Sequence, residues 1–283
     1  MKQTIHAIGW SLIFLLGSLI AQAQTTVLEG RVIDAGTGQG LAYVNIGLIG
    51  TSTGTVSDQE GNYYLEFPAE VDLPVRFSHV GYQSCEHTVA LLQAERVVSL
   101  DEEPLGLPEL IVRPWSEPKR YGSVRGTYRT QVNLALAKRP DQNLGAAIGR
   151  VFHLERSVLL DSVFFFVATN DFDSVTFRLQ FYSVRKGRPD RPITTQPVLV
   201  PVTGQQRGWI KVPLRHLQIG TEQDVMVVLE WVDAGAKGGR LSLPVHFPAI
   251  GQSHYYRYGA QNRWKRFRSM ETPILLHVLE ERQ

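Results

Sequence analysis

Between His254 and Arg268 the chain interleaves aromatic and basic side chains: His254-Tyr255-Tyr256-Arg257-Tyr258-Gly259, then Arg263-Trp264-Lys265-Arg266-Phe267-Arg268. Aromatic rings offer flat apolar faces to sugars and other planar groups, and a guanidinium can hold a phosphate or carboxylate through two parallel bonds. The candidate ligand-binding residues are therefore Tyr255, Tyr256, Arg257, Tyr258, Trp264 and Arg266. Bases alternating with rings also mark single-stranded nucleic-acid sites. The competing reading is a β-hairpin whose rings pack on the core while its basic side is solvated.

Other residues with chemical potential are scattered. Asp58-Gln59-Glu60-Gly61-Asn62 alternates oxygen donors with a glycine, as a calcium loop does. Calcium takes six to eight oxygens, however, and this stretch reads better as an acidic hairpin turn. His79, His87, His153, His216, His246, His254 and His277 stand singly, without the paired spacing of a zinc site. Cys85 is the only cysteine, which excludes an intrachain disulfide, and it reads as a buried spectator. A glycosidase needs two carboxylates about 5 to 9.5 Å apart across a cleft. Glu230 and Asp233 are a pair that could be offered, with nothing in the sequence singling them out. No cofactor, metal or catalytic constellation is assigned.

The chain has 283 residues, 43% hydrophobic and 20% charged, with a formal charge of +2. That is an ordinary globular composition, and its near neutrality gives no overall pull toward nucleic acid, which is not expected as a partner. Residues 1–23 read as a signal peptide: Lys2, an apolar run Gly9 to Ile20, then the small-x-small site Ala21-Gln22-Ala23. The expected mature chain begins at Gln24 and is exported to the periplasm, the outer-membrane surface or the medium. An uncleaved anchor is the alternative. No later stretch is apolar over the roughly 20 residues that a helical span requires.

The elements that must position these residues read as β structure. Val27, Glu29, Arg31 and Ile33 alternate with Leu28, Gly30 and Val32, and Asp34 to Gly40 is a turn. Leu41 to Ile49, Tyr63 to Phe67, Leu73 to Val80 and Arg96 to Leu100 follow as strands, with Glu86 to Leu92 a strand or short helix. Turn signals about every ten residues describe an all-β sandwich. The ordered motifs Gly30-Arg31-Val32-Ile33-Asp34, Leu41 to Ile46, Gly54 to Leu65 and Phe77-Ser78-His79-Val80-Gly81-Tyr82 resemble the carboxypeptidase-regulatory-like domain. That resemblance implies a seven-stranded transthyretin-like β-sandwich over 24–103, an accessory module without peptidase activity, of a kind found in Bacteroidetes envelope proteins. Leu107-Pro108-Glu109-Leu110-Ile111-Val112 is similar to the short strand that follows the domain in TonB-dependent receptors. Only about 170 residues remain beyond it, too few for a plug and large barrel.

Prolines 114 and 118 place a linker at 104–121. From 122 to 283 the strands lengthen: Gly145 to Phe152, Val158 to Thr169, Ser174 to Val184, Gly208 to Pro213, Asp224 to Val232, Arg240 to Phe247 and Ile274 to Glu280. In Ser174 to Val184 the pattern puts Val175, Phe177, Leu179 and Phe181 inward and Thr176, Arg178 and Gln180 outward. Lys186 to Pro192 reads as a loop. These strands form a second, larger β-sandwich, with a jelly roll as one arrangement they admit. The sequence thus points to an exported, non-enzymatic binding or scaffolding protein of the cell envelope, with an envelope protein or surface polysaccharide as partner. A hydrolase with its site in the second sandwich, and an accessory component of an outer-membrane uptake system, are the alternatives.

Overall fold

The computed structural model describes residues 24–103, 115–122, 130–135, 143–194, 196–235 and 238–282. Residues 1–23, expected to be a signal peptide, and the aliphatic stretch Leu107–Val112 lie outside these residues.

The first module packs seven strands in two sheets. β1 (Thr25–Asp34) lies between antiparallel β4 (Asn62–Pro68) and parallel β7 (Val97–Leu100). The second sheet runs β3 (Gly54–Val56), β2 (Asn45–Leu48), β5 (Val75–Ser78), β6 (Cys85–His87). The period of two decides which side chains meet: Leu28 and Val32 from β1, and Tyr63, Leu65 and Phe67 from β4, face Ile46 and Phe77 of the opposing sheet. Tyr63 meets Phe77 edge to face at 5.5 Å. Phe77 is fully buried, a burial that contributes about 1.5–3 kcal/mol. Helix α1 (Val89–Ala94) starts where the Thr88 hydroxyl accepts from the Leu91 N–H, and it buries Leu92.

Two features explain the spacing of the motifs. Asp34, at the end of β1, accepts from the Tyr82 hydroxyl at 2.7 Å and from the Thr37 N–H at 2.7 Å, so the first and last motifs close on one carboxylate. Gly61 sits at φ 86°, where a Cβ would run into the Val32 carbonyl, so only glycine lets the acidic turn lie against β1.

The described residues of the second module are mainly β, with one short 3-10 turn at Arg215–Leu217. Its main sheet runs β14 (Arg188–Pro192), β13 (Ser174–Arg185), β18 (Val225–Ala234), β10 (Ala147–Phe152), β20 (Ser253–Arg257), β21 (Lys265–Arg268), with β15 (Val198–Thr203) also on β13. Facing it are β16 (Gly208–Pro213), β11 (Val158–Val167), β22 (Ile274–Glu280) and β8 (Lys119–Tyr121), with β17 (Gly220–Thr221) on β11. A small third sheet joins β12 (Thr169–Asn170), β19 (Leu241–Val245) and β9 (Thr130–Ala135). Phe165 from one large sheet meets Phe177 from the other at 5.4 Å, in a core that includes Phe181, Trp231 and Leu276.

Three expectations change. Residues 115–121 are not free linker, because β8 pairs with β22 and Trp115 bridges Glu281. The Lys186–Pro192 loop is only a two-residue turn, Lys186-Gly187, after which Arg188–Pro192 runs as a strand along the end of β13. Arg178 and Gln180, expected outward, are 0% and 4% exposed. At β13 and β18 the main sheet is covered on both faces, so alternation on β13 separates two buried sides.

Candidate functional site

The second covered face of the main sheet carries a buried ionic cluster. Arg178 on β13 and Glu230 on β18 are directly opposite each other in the ladder, both on that face. The Arg178 Nε and Nη2 donate to Glu230 Oε2 at 2.9 and 2.7 Å. From β20, Arg257 Nη2 donates to the other oxygen, Oε1, at 2.5 Å. The third Arg178 nitrogen, Nη1, donates to the Tyr43 carbonyl in the first module at 2.5 Å. Tyr43 is held at φ 61°, a conformation that a bulky residue adopts only under constraint, and its carbonyl is the one Arg178 takes.

Burial alone would push the Glu230 carboxyl up, but Arg178, Arg257 and the Asn45 amide outweigh it and hold it below the ordinary carboxylate value. His79 lies near the same cluster; burial, then the Arg178 charge, lowers it to about 4, so it is neutral at physiological pH. Glu230 thus serves neither as a proton donor nor as a solvent-facing base. Asp233 is half-buried but Glu230 has no exposed surface, so Glu230 does not open onto a cleft with it.

Around this ionic centre the modules touch closely. Tyr43 and Val56 pack on Val232, with Ala42 and Leu144 beside them. Gln261 accepts from the Gly50 N–H at 3.2 Å, and its amide donates to the Asn45 carbonyl at 3.0 Å and the Ser78 hydroxyl at 2.9 Å. Gly259 is at φ 79°, and a Cβ there would collide with the Ser52 carbonyl. Beside the seam, a groove of ≈ 770 Å³ is lined by β3, β4, Asn143, Leu144, Val232 and Asp233.

The residues proposed from sequence divide between roles. Tyr255 is 2% exposed, packs with Met226 and Val228, and donates to the Gly187 carbonyl at 2.7 Å. Tyr256 is half-buried against the main core, and burial raises its hydroxyl above the ordinary phenol value. Tyr258 meets Tyr256 edge to face at 5.7 Å. Arg257 is held by Glu230 and stands over the Trp264 ring at 5.2 Å. Arg266 alone of the six is exposed, above the Tyr255 ring at 5.7 Å.

Other candidates resolve similarly. Asp58 Oδ1 accepts from the Glu60 and Asn62 N–H groups at 3.0 and 2.8 Å, so that carboxylate organises its own turn. Cys85 is half-buried, and burial pushes its thiol up. Gly50-Thr51-Ser52-Thr53-Gly54, not among the sequence candidates, has the G-x-S-x-G spelling of a nucleophile elbow, but it links β2 to β3 rather than a strand to a helix. Sequence reasoning missed the Arg178–Glu230–Arg257 centre. Its one signal was Glu230 itself, a lone charge inside the apolar run Val225 to Val232.

No helix of the described residues is long and apolar enough to cross a membrane. A search of curated proteins returned no match. Among solved structures the chain is similar to a clostridial cysteine protease, Cwp84, after propeptide cleavage: 10% identity, TM-score 0.39, covering 93% of this chain and 66% of that one. The cysteine protease and lectin-like domains of Cwp84, a surface layer associated protein of Clostridium difficile, give 12% identity and a TM-score of 0.41, over 85% and 59% of the two chains. BcpA, the major pilin subunit of Bacillus cereus, gives 10% identity and a TM-score of 0.19, over 86% and 67%. The chain spans less than two thirds of both Cwp84 chains, and likenesses at these scores carry no argument here. The profile of the CarboxypepD_reg-like domain matches residues 28–112, which run through the seven strands of the first module. Residues 28–112 are a CarboxypepD_reg-like domain.

Proposed function

We propose that this is an exported, non-enzymatic binding scaffold of the cell envelope, in which a CarboxypepD_reg-like domain is fixed rigidly to a β-sandwich that presents the binding surface. The observation that carries the reading is the state of Glu230. It is 0% exposed, is held between Arg178 and Arg257, and is tied through Arg178 to Tyr43 of the other module. A carboxylate so placed orders two domains against each other and is shut off from substrate. The signal-peptide pattern of residues 1–23 supports export. The rival is a hydrolase. Purified protein is incubated with chromogenic ester, peptide and glycoside substrates, and no turnover above buffer is expected. Turnover that disappears on replacing a single serine or carboxylate would overturn the scaffold reading.

A further inference from the structure

We propose that the outward side of the β20–β21 hairpin, with the β13–β14 turn beside it, is a docking surface for an anionic polysaccharide. This deepens the scaffold reading, on which it rests, by naming the partner's chemistry.

Two pieces of backbone assemble the surface. Lys186 and Gly187 take φ 51° and 69°, and Arg185 is paired with Arg188, so the turn is a tight two-residue hairpin loop of fixed shape. Tyr255 pins it by donating to the Gly187 carbonyl at 2.7 Å, and a Cβ built on Gly187 would lie 3.5 Å from Arg266 Nη1. The turn backbone at Gly187 therefore lies against Arg266, with Lys186 and Arg188 as its chain neighbours. On β21 all four residues, Lys265 to Arg268, are exposed. Arg266 and Arg268 share one face of this edge strand, about 6.7 Å apart at a strand's rise. Arg263 precedes them.

None of the five basic residues of this surface, Lys186, Arg188, Arg263, Arg266 and Arg268, makes an ion pair among the described residues. Asp190 is the single acid within 185–192, and 263–268 contains none. Arg266 is held through Nε to the Ser253 hydroxyl at 2.9 Å and over the Tyr255 ring, which leaves its terminal nitrogens for a ligand. Guanidinium forks held at strand spacing suit repeated sulfate or carboxylate groups along a chain.

The same surface argues against two other polyanions. A lipid surface would call for an apolar residue to enter it. Phe267 is 41% exposed, but strand alternation turns it to the face opposite Arg266 and Arg268, beside His254 at 6.0 Å. Single-stranded nucleic acid would call for open rings to stack on. The Tyr255 ring is buried, and Arg257 covers Trp264.

The test is titration calorimetry of the intact protein with dextran sulfate, against neutral dextran and against vesicles of phosphatidylglycerol and phosphatidylcholine. Dextran sulfate is expected to bind, more weakly as salt rises, and neutral dextran is not. Charge reversal in Arg266→Glu/Arg268→Glu, and separately in Lys186→Glu/Arg188→Glu, should each weaken binding at least about tenfold by removing charge-assisted bonds. Thermal unfolding of each variant checks that the fold is retained. No binding of dextran sulfate, binding untouched by both reversals, or tighter binding to the vesicles would overturn the proposal. These results leave the scaffold reading standing, which only catalytic turnover overturns.

Discussion

Arg178 and Glu230 face each other across adjacent strands of the main sheet, 52 residues apart in sequence, and are joined by two bonds of 2.9 and 2.7 Å onto one carboxylate oxygen. Neither side chain reaches water, and the remaining Arg178 nitrogen is spent on the first module. The pair therefore sits in the second sandwich but acts at the boundary between the two.

Removing the carboxylate leaves two guanidiniums buried without their partner. Glu230→Gln is expected to cost about 3–5 kcal/mol, the usual loss when one member of a buried pair is removed. The triple change Arg178→Met/Glu230→Leu/Arg257→Met removes every charge and should be far less destabilising than the single change. Urea denaturation of the two variants gives the comparison, and equal losses would contradict it.

Acid should weaken the protein in two stages. Burial lowers His254 to about 4 in the folded protein, against 6.5 when unfolded, so the unfolded chain binds more protons between those values and stability falls as pH drops through them. The loss from His254 amounts to about 3 kcal/mol at 1.36 kcal/mol per pH unit. Glu230 is depressed instead, so its contribution is present above its ordinary value and is lost as pH falls further, through its folded value. Denaturation midpoints measured from pH 7 to pH 3 should decline throughout. His254→Gln should flatten the part between pH 6.5 and 4, leaving the slope due to His79.

The close approach at Ser52 needs a residue without Cβ. Gly259→Ala combines a left-handed backbone with a collision against the Ser52 carbonyl, and should cost about 1–3 kcal/mol. The damage should concentrate at the seam. Limited proteolysis is expected to cut between the modules sooner than in the parent protein, while each sandwich survives.

Asp58→Ala removes the acceptor that organises the 58–62 turn, at about 0.5–1.5 kcal/mol per bond lost. Calcium should leave the melting temperature of the parent unchanged, and a rise with calcium would restore the metal reading.

Much of this architecture was legible from alternation. The inward set read for β13, Val175, Phe177, Leu179 and Phe181, is found in the larger core, and the strand read at Tyr63 to Phe67 lies within β4. The ends of β16 and β22 also fall where the apolar pattern places them. Alternation distinguishes two faces of a strand but does not say that one is wet. The first module covers the side that Arg178 occupies, and no local pattern announces that contact. β14 was hidden by Pro189 and Pro192, which argue against a central strand but are tolerated at a sheet's margin. The aromatic and basic run at 254–268 was found as a cluster. Its division, with Tyr255 inward, Arg257 consumed by Glu230 and Arg266 outward, depends on strand pairing and on a partner in β18.

The central claim is that the ionic seam makes the two modules one cooperative unit. Differential scanning calorimetry of the parent and of Glu230→Gln tests it most directly. The parent should unfold in a single transition, and the variant should show two, with one module melting ahead of the other. Two independent transitions in the parent, or one unshifted transition in the variant, would contradict the account.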